Sequence, residues 1–129
     1  MLDIKTYTMG RMFKYKDEWT LEVHTNALDL IKRVNNLFNA LEISVPPVTS
    51  GWRPAAINAK ASGAKKSLHM VGKAVDLADS DGSIKEKILN KPYLLLDYGL
   101  WMEHPDATPG WVHLDTGVRS SRLIKVFKP

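Results

Sequence analysis

His69 and Asp76 stand seven residues apart in the stretch SLHMVGKAVDL, which is otherwise mostly small or apolar. Seven residues are about two helical turns, a spacing that stacks two side chains on one helix face. Gly72 and the strand-favouring run Ala74–Leu77 argue against a continuous helix. Asp76 then falls inside what reads as a buried strand, where a carboxylate is costly unless a cation or strong donors sit beside it. A metal ion is one such cation, with His69 as its neighbour. A third group comes from Trp111-Val112-His113-Leu114-Asp115. As a strand, it shows Val112 and Leu114 on one face and Trp111, His113 and Asp115 on the other. His113 alone faces either solvent or a site. Together, His69, Asp76 and His113 supply two imidazoles and a carboxylate, and three such ligands with a vacant fourth position define a catalytic zinc centre. The chain has no cysteine, so thiolate sites and disulfides are excluded. Of the remaining histidines, His24 precedes an amphipathic helix and His104 stands at the mouth of a polar loop, and both read as surface residues.

These residues need a scaffold. Apolar Ala27, Leu30, Ile31, Val34, Leu37, Phe38 and Leu41 follow helical periodicity and predict a helix over Thr25–Leu41, capped by Thr25 or Asn26 and unable to continue through Pro46-Pro47. A short strand follows at Val48–Gly51. Pro54–Ala61 predicts one or two helical turns, and Ala74–Leu77 a core strand. Asp79–Gly82 is a turn, Ser83 caps a helix through Leu89, and Pro92 opens another through Asp97. Leu100–Glu103 and Trp111–Asp115 are strands that can form a hairpin around HPDATPG, and Ile124–Phe127 adds an edge strand. Helices mix with antiparallel strands without βαβ alternation, so the class is α+β, a small antiparallel sheet with flanking helices. No linker or repeat divides the chain, and a single domain over residues 1–129 is expected.

Composition sets the outer bounds. The 129 residues are enough for one real core, and 44% hydrophobic with 25% charged is ordinary for a soluble globular protein. The N-terminal MLDIKTYTMGRMFKYK shows no signal peptide, so synthesis in the cytoplasm is expected, and no apolar run is long enough to span a membrane. The formal net charge of +4 is uneven: Lys60, Lys65, Lys66 and Lys73 form one acid-free run, and Arg119, Arg122, Lys125 and Lys128 another. Such runs attract polyanions, including an anionic cell wall, or are simply a solvated surface. They accompany no nucleic-acid motif, so a specific nucleic-acid partner is not expected.

The stretch Ser67-Leu68-His69-Met70-Val71-Gly72-Lys73-Ala74-Val75-Asp76 resembles the S-x-H-x-x-G-x-A-x-D signature of the zinc D-Ala-D-Ala carboxypeptidase and dipeptidase family, the LAS-type peptidoglycan peptidases. Upstream, Ser50-Gly51-Trp52-Arg53-Pro54 resembles that family's strand-end arginine motif, and Trp111-Val112-His113 its second histidine segment. The N-terminal YTMGRMF, followed by a helix, is similar to small phage-encoded members. The resemblance implies a LAS-type fold with His69, Asp76 and His113 binding Zn2+. It also implies that Arg53 supports a polarised carbonyl or a substrate carboxylate, that Ser67 hydrogen-bonds substrate, and that Gly72 permits positive φ or close backbone approach. Its implied activity is cleavage of peptidoglycan stem peptides or cross-links, at the cell wall, by a lysis enzyme or a phage-particle component. One position departs. Many members carry a catalytic acid three residues before the second histidine, where this chain has Gly110. Glu103 is the first substitute, if the hairpin sets it opposite His113. Asp115 is the second, or else orients His113, and Asp106 lies mid-loop. The missing acid also supports an alternative, a non-catalytic zinc domain assembled into a phage particle.

Overall fold

The computed structural model describes residues 1–120 and 123–129 of the chain. Among them the longest element is helix α3, Leu21–Leu41, preceded by two short helices, α1 (Ile4–Thr8) and α2 (Arg11–Lys14). The helix begins four residues before the periodicity predicts, because Thr20 and not Thr25 caps it, its side chain accepting from the Val23 amide. His24 therefore lies within the helix, its ring edge-on to Trp19 at 5.8 Å. The buried stripe contains the expected Ala27, Leu30, Ile31, Val34, Leu37 and Phe38, gains Val23 from the earlier start, and leaves Leu41 half-buried.

That stripe covers a sheet in the order β1-β2-β4-β3-β5. Its strands are β1 (Val48–Ser50), β2 (Ala74–Ala78), β3 (Trp101–Glu103), β4 (Trp111–Asp115) and β5 (Val126–Phe127). Neighbours are antiparallel except β5, which runs parallel to β3 at the edge. Alternation sorts the faces. Val75, Leu77, Met102, Val112 and Leu114 join the core, while Asp76, Glu103, His113 and Asp115 share the other face with the site. Helix α4 (Ala55–Lys60) and helices α5 (Ser83–Asn90) and α6 (Tyr93–Tyr98) flank the sheet, giving the expected α+β architecture in one small unit. Ser83 is the first residue of α5 and not its cap: Asp81 accepts from the Ser83 amide, and Asp79 accepts from those of Ile84 and Lys85. The short α1 and α2 carry too few apolar repeats to be read from periodicity.

Candidate metal centre

Register brings the site together. β2 and β4 pair with Asp76 directly opposite His113, which places their side chains in contact on one face. A register shift in the β1–β2 pairing sets Ser50 opposite Asp76. The chain leaving β1 therefore passes the same carboxylate and delivers Arg53. A 3₁₀ turn at Leu68–Val71 carries His69, and it closes at Gly72, whose φ is 79°. A Cβ at Gly72 would also stand 2.7 Å from the Val23 carbonyl oxygen of α3. Positive φ and close approach, the two expected reasons for a glycine, both apply.

Nε2 of His69 lies 3.4 Å from Asp76 Oδ2, and Nδ1 of His113 lies 2.7 Å from Oδ1. One ligand atom from each of the three residues falls within 4.8 Å of the others. A tetrahedral ion with bonds of about 2.0–2.1 Å holds its ligands about 3.3 Å apart, so the group closes on such an ion with small movements. The far nitrogens fit as well. His69 Nδ1 donates to the Gly51 carbonyl at 2.9 Å, which turns Nε2 toward Asp76. His113 Nε2 donates to Asp115 Oδ2 at 2.7 Å, which turns Nδ1 toward Asp76. Oxygen acceptors on the second nitrogens are the usual support of metal-binding histidines. The donor set, two nitrogens and a carboxylate in a site without thiolate, suits zinc-like chemistry.

The electrostatics agree with a buried cation site. Burial raises the Asp76 carboxyl, but hydrogen bonds from His113 and His69 and their charges outweigh it and hold the group well below the usual carboxylate range. Burial lowers His113, yet hydrogen bonds to Asp115 and Asp76 and the charge of both raise it to about 9. Asp115, also pushed up by burial, is pulled down by its bonds to His113 and Arg119.

Arg53 reaches the same cluster. Its Nη2 lies 3.6 Å from Asp76 Oδ2, its Nε donates to Ser50 Oγ at 2.8 Å, and its backbone amide donates to the His69 carbonyl at 3.1 Å. The Ser67 hydroxyl accepts from the His69 amide at 3.2 Å. Arg53, Ser67, His69, Asp76, Glu103 and His113 all line one cavity of about 430 Å3. The β3–β4 register pairs Trp101 with Asp115 and Met102 with Leu114, and Glu103, which follows, pairs with Phe127 of β5. Asp115, the second acid considered, is fully buried with its oxygens committed to donors. Its hydrogen bond with His113 Nε2 is of the kind that orients a histidine ring. The Asp106 side chain is exposed and lies outside that cavity, and His104 caps the turn beside it. Gly110 has φ of 92° and its carbonyl accepts from the Asp79 amide.

Two contributions escape sequence reasoning. The YTMGRMF stretch clamps the arginine motif: the Gly51 amide donates to Met9 Sδ, the Trp52 amide to the Tyr7 carbonyl, and Arg11 Nη1 to the Trp52 carbonyl. Arg119, expected as part of a basic surface, is paired with Asp115. Lys125 sits over the Trp101 ring at 4.8 Å. Arg122 lies outside the described residues. Lys60, Lys65 and Lys66 are exposed as expected. No helix is long and apolar enough to cross a membrane among the described residues.

A family model described as Peptidase M15 matches residues 6–104. The match contains Arg53, Ser67, His69, Asp76 and Glu103 and ends before His113. No curated protein matches the chain significantly.

Proposed function

The chain belongs to the peptidase M15 family, and from that premise we propose that it is a zinc-dependent peptidase cleaving peptidoglycan stem peptides or cross-links. The carrying observation is that His69, Asp76 and His113 converge in the same cavity as Arg53 and Glu103. Zinc, when bound by the three residues, supplies Lewis acidity toward a scissile carbonyl and brings the pKa of a water near 7. The chain's own groups supply the rest. Glu103, which lines the same cavity, takes a proton from the attacking water and returns one to the leaving amine. Arg53, anchored through Nε on Ser50, offers its remaining donors to the developing oxyanion or to a substrate carboxylate. Ser67 retains its hydroxyl proton for a substrate acceptor while its oxygen holds the His69 turn. Leu68, Trp111 and Phe127 give the cavity apolar wall suited to short aliphatic side chains. Exposed Lys60, Lys65 and Lys66 flank the Ala61–Ser67 side of the cavity, where they favour an anionic wall polymer.

The second reading, a non-catalytic zinc domain of an assembly such as a phage particle, rests on Gly110, which stands where the family's acid is expected. Digestion of purified peptidoglycan by the zinc-loaded protein, with fragments identified by mass spectrometry, separates the two. New peptide termini are expected from the wild type and none from Glu103→Gln, with the metal content of both near one per chain. Intact peptidoglycan after incubation with metal-loaded wild type would leave the non-catalytic reading in place.

A further inference from the structure

His113 is held from its far side by Asp115, and Asp115 is itself held by a residue that the family match does not reach. Oδ1 of Asp115 accepts from Arg119 Nη1 at 2.7 Å and from the Gly117 amide at 3.0 Å. Oδ2 accepts from Arg119 Nη2 at 3.1 Å and from His113 Nε2 at 2.7 Å. Each oxygen therefore has two donors, and Arg119 provides one of each pair. Without the arginine, one donor per oxygen remains and the carboxylate can rotate away from the imidazole.

Arg119 is fixed in turn. Its guanidinium lies over the Phe127 ring, 3.6 Å from the centroid, and 5.3 Å from that of Trp101. Phe127 also meets the His113 ring edge-on at 5.9 Å. The chain passes close to these side chains at Gly117, where a Cβ would stand 2.8 Å from Leu68 Cδ1 and 3.0 Å from Arg119 Nη1. Asp115 has 0% of its surface exposed and the Arg119 side chain 22%, so this is a two-pronged pair with a buried carboxylate and a half-buried guanidinium.

We propose that Arg119 is a positioning residue of the metal centre, locking the Asp115 carboxylate against His113 and so setting the affinity and geometry of metal binding. The segment after β4 then belongs to the centre, through Arg119 and the Phe127 ring beneath it. This rests on the reading of His69, Asp76 and His113 as metal ligands.

Zinc affinity measured by chelator competition, together with the visible spectrum of the cobalt-substituted protein, tests it in four variants: R119M, R119Q, D115N and R119M/D115N. R119M keeps the apolar stem over Phe127 and removes the donors. It is expected to weaken zinc binding by about 10- to 100-fold and to change the cobalt bands, with far-UV circular dichroism unchanged. Because Arg119 acts through Asp115, the double variant is expected to bind no more weakly than D115N. An R119M protein that melts lower but binds zinc and cobalt as the wild type does overturns the proposal, as do additive losses in the double variant. Should R119M fail to fold, R119Q carries the comparison, and unchanged affinity there overturns it equally. Wild-type protein that binds neither metal overturns the ligand assignment and this inference together. Wild-type binding with unperturbed arginine variants overturns this inference alone.

Discussion

Nδ1 of His113 and Oδ1 of Asp76 face each other at 2.7 Å across the β2–β4 pairing. In the metal-free protein this contact holds a proton, because carboxylates on both sides raise His113 to about 9. A metal ion must displace that proton to reach Nδ1. Zinc affinity is therefore expected to strengthen as pH rises from 6 toward about 9 and then level off. At pH 7 about one proton should be released per metal bound, which calorimetry in buffers of different ionisation enthalpy measures directly. Affinity independent of pH across that window would remove His113 Nδ1 as a ligand.

The same shift makes the stability of the metal-free protein pH-dependent. The folded pKa of His113 lies above its unfolded value, so its contribution is complete below about 6.5 and is lost as pH rises through about 9. Asp76 is depressed, so its contribution is present above about 4 and is lost as pH falls toward its lowered pKa. Melting temperatures of chelator-treated protein should therefore be highest at mildly acidic pH and fall on both sides. A rise between pH 7 and 9 would contradict the arrangement.

Alanine at His69, Asp76 or His113 is expected to abolish stoichiometric metal binding, while His24→Ala keeps it. His24 packs on Trp19 in α3, away from the cavity. Metal analysis after purification without chelator decides the matter, and metal loss in His24→Ala alone would overturn the ligand set.

Arg53→Ala should fold and retain metal, because the backbone bond from residue 53 to the His69 carbonyl does not involve the side chain. Hydrolysis is expected to fall by about 100- to 1000-fold, the usual consequence of removing one donor from a developing oxyanion. Turnover within a few-fold of wild type would take Arg53 out of the mechanism.

Gly72→Ala tests the joint between the two halves of the signature. The residue has φ of 79°, and an added Cβ would stand 2.7 Å from the Val23 carbonyl oxygen. A stability loss of about 1–3 kcal/mol in chemical denaturation is expected from the backbone strain, before the contact with α3 is counted. Unchanged stability would mean that the His69 turn does not dock on α3 as described.

The candidate pair His69 and Asp76 was legible in the sequence because its evidence is local, while Arg53 entered through the resemblance of its motif. An aspartate in a run such as Ala74–Leu77 must be compensated wherever the strand lies, and a glycine between His69 and that strand marks a turn. The main helix was equally legible, since its apolar stripe repeats over many residues, although its start moved to the cap at Thr20. Only the tertiary structure decided what depends on register and on the path of distant chain. It paired Asp76 with His113, brought Glu103 into the same cavity, and made the Asp115 carboxylate the acceptor for His113 and Arg119. It also paired Arg119 with the buried Asp115 carboxylate and tied Tyr7, Met9 and Arg11 to the arginine motif. The physical reason is common to all of these. A strand's pattern states which residues share a face, but a one-residue slip changes every partner, and hydrogen bonds between remote segments leave no periodic trace.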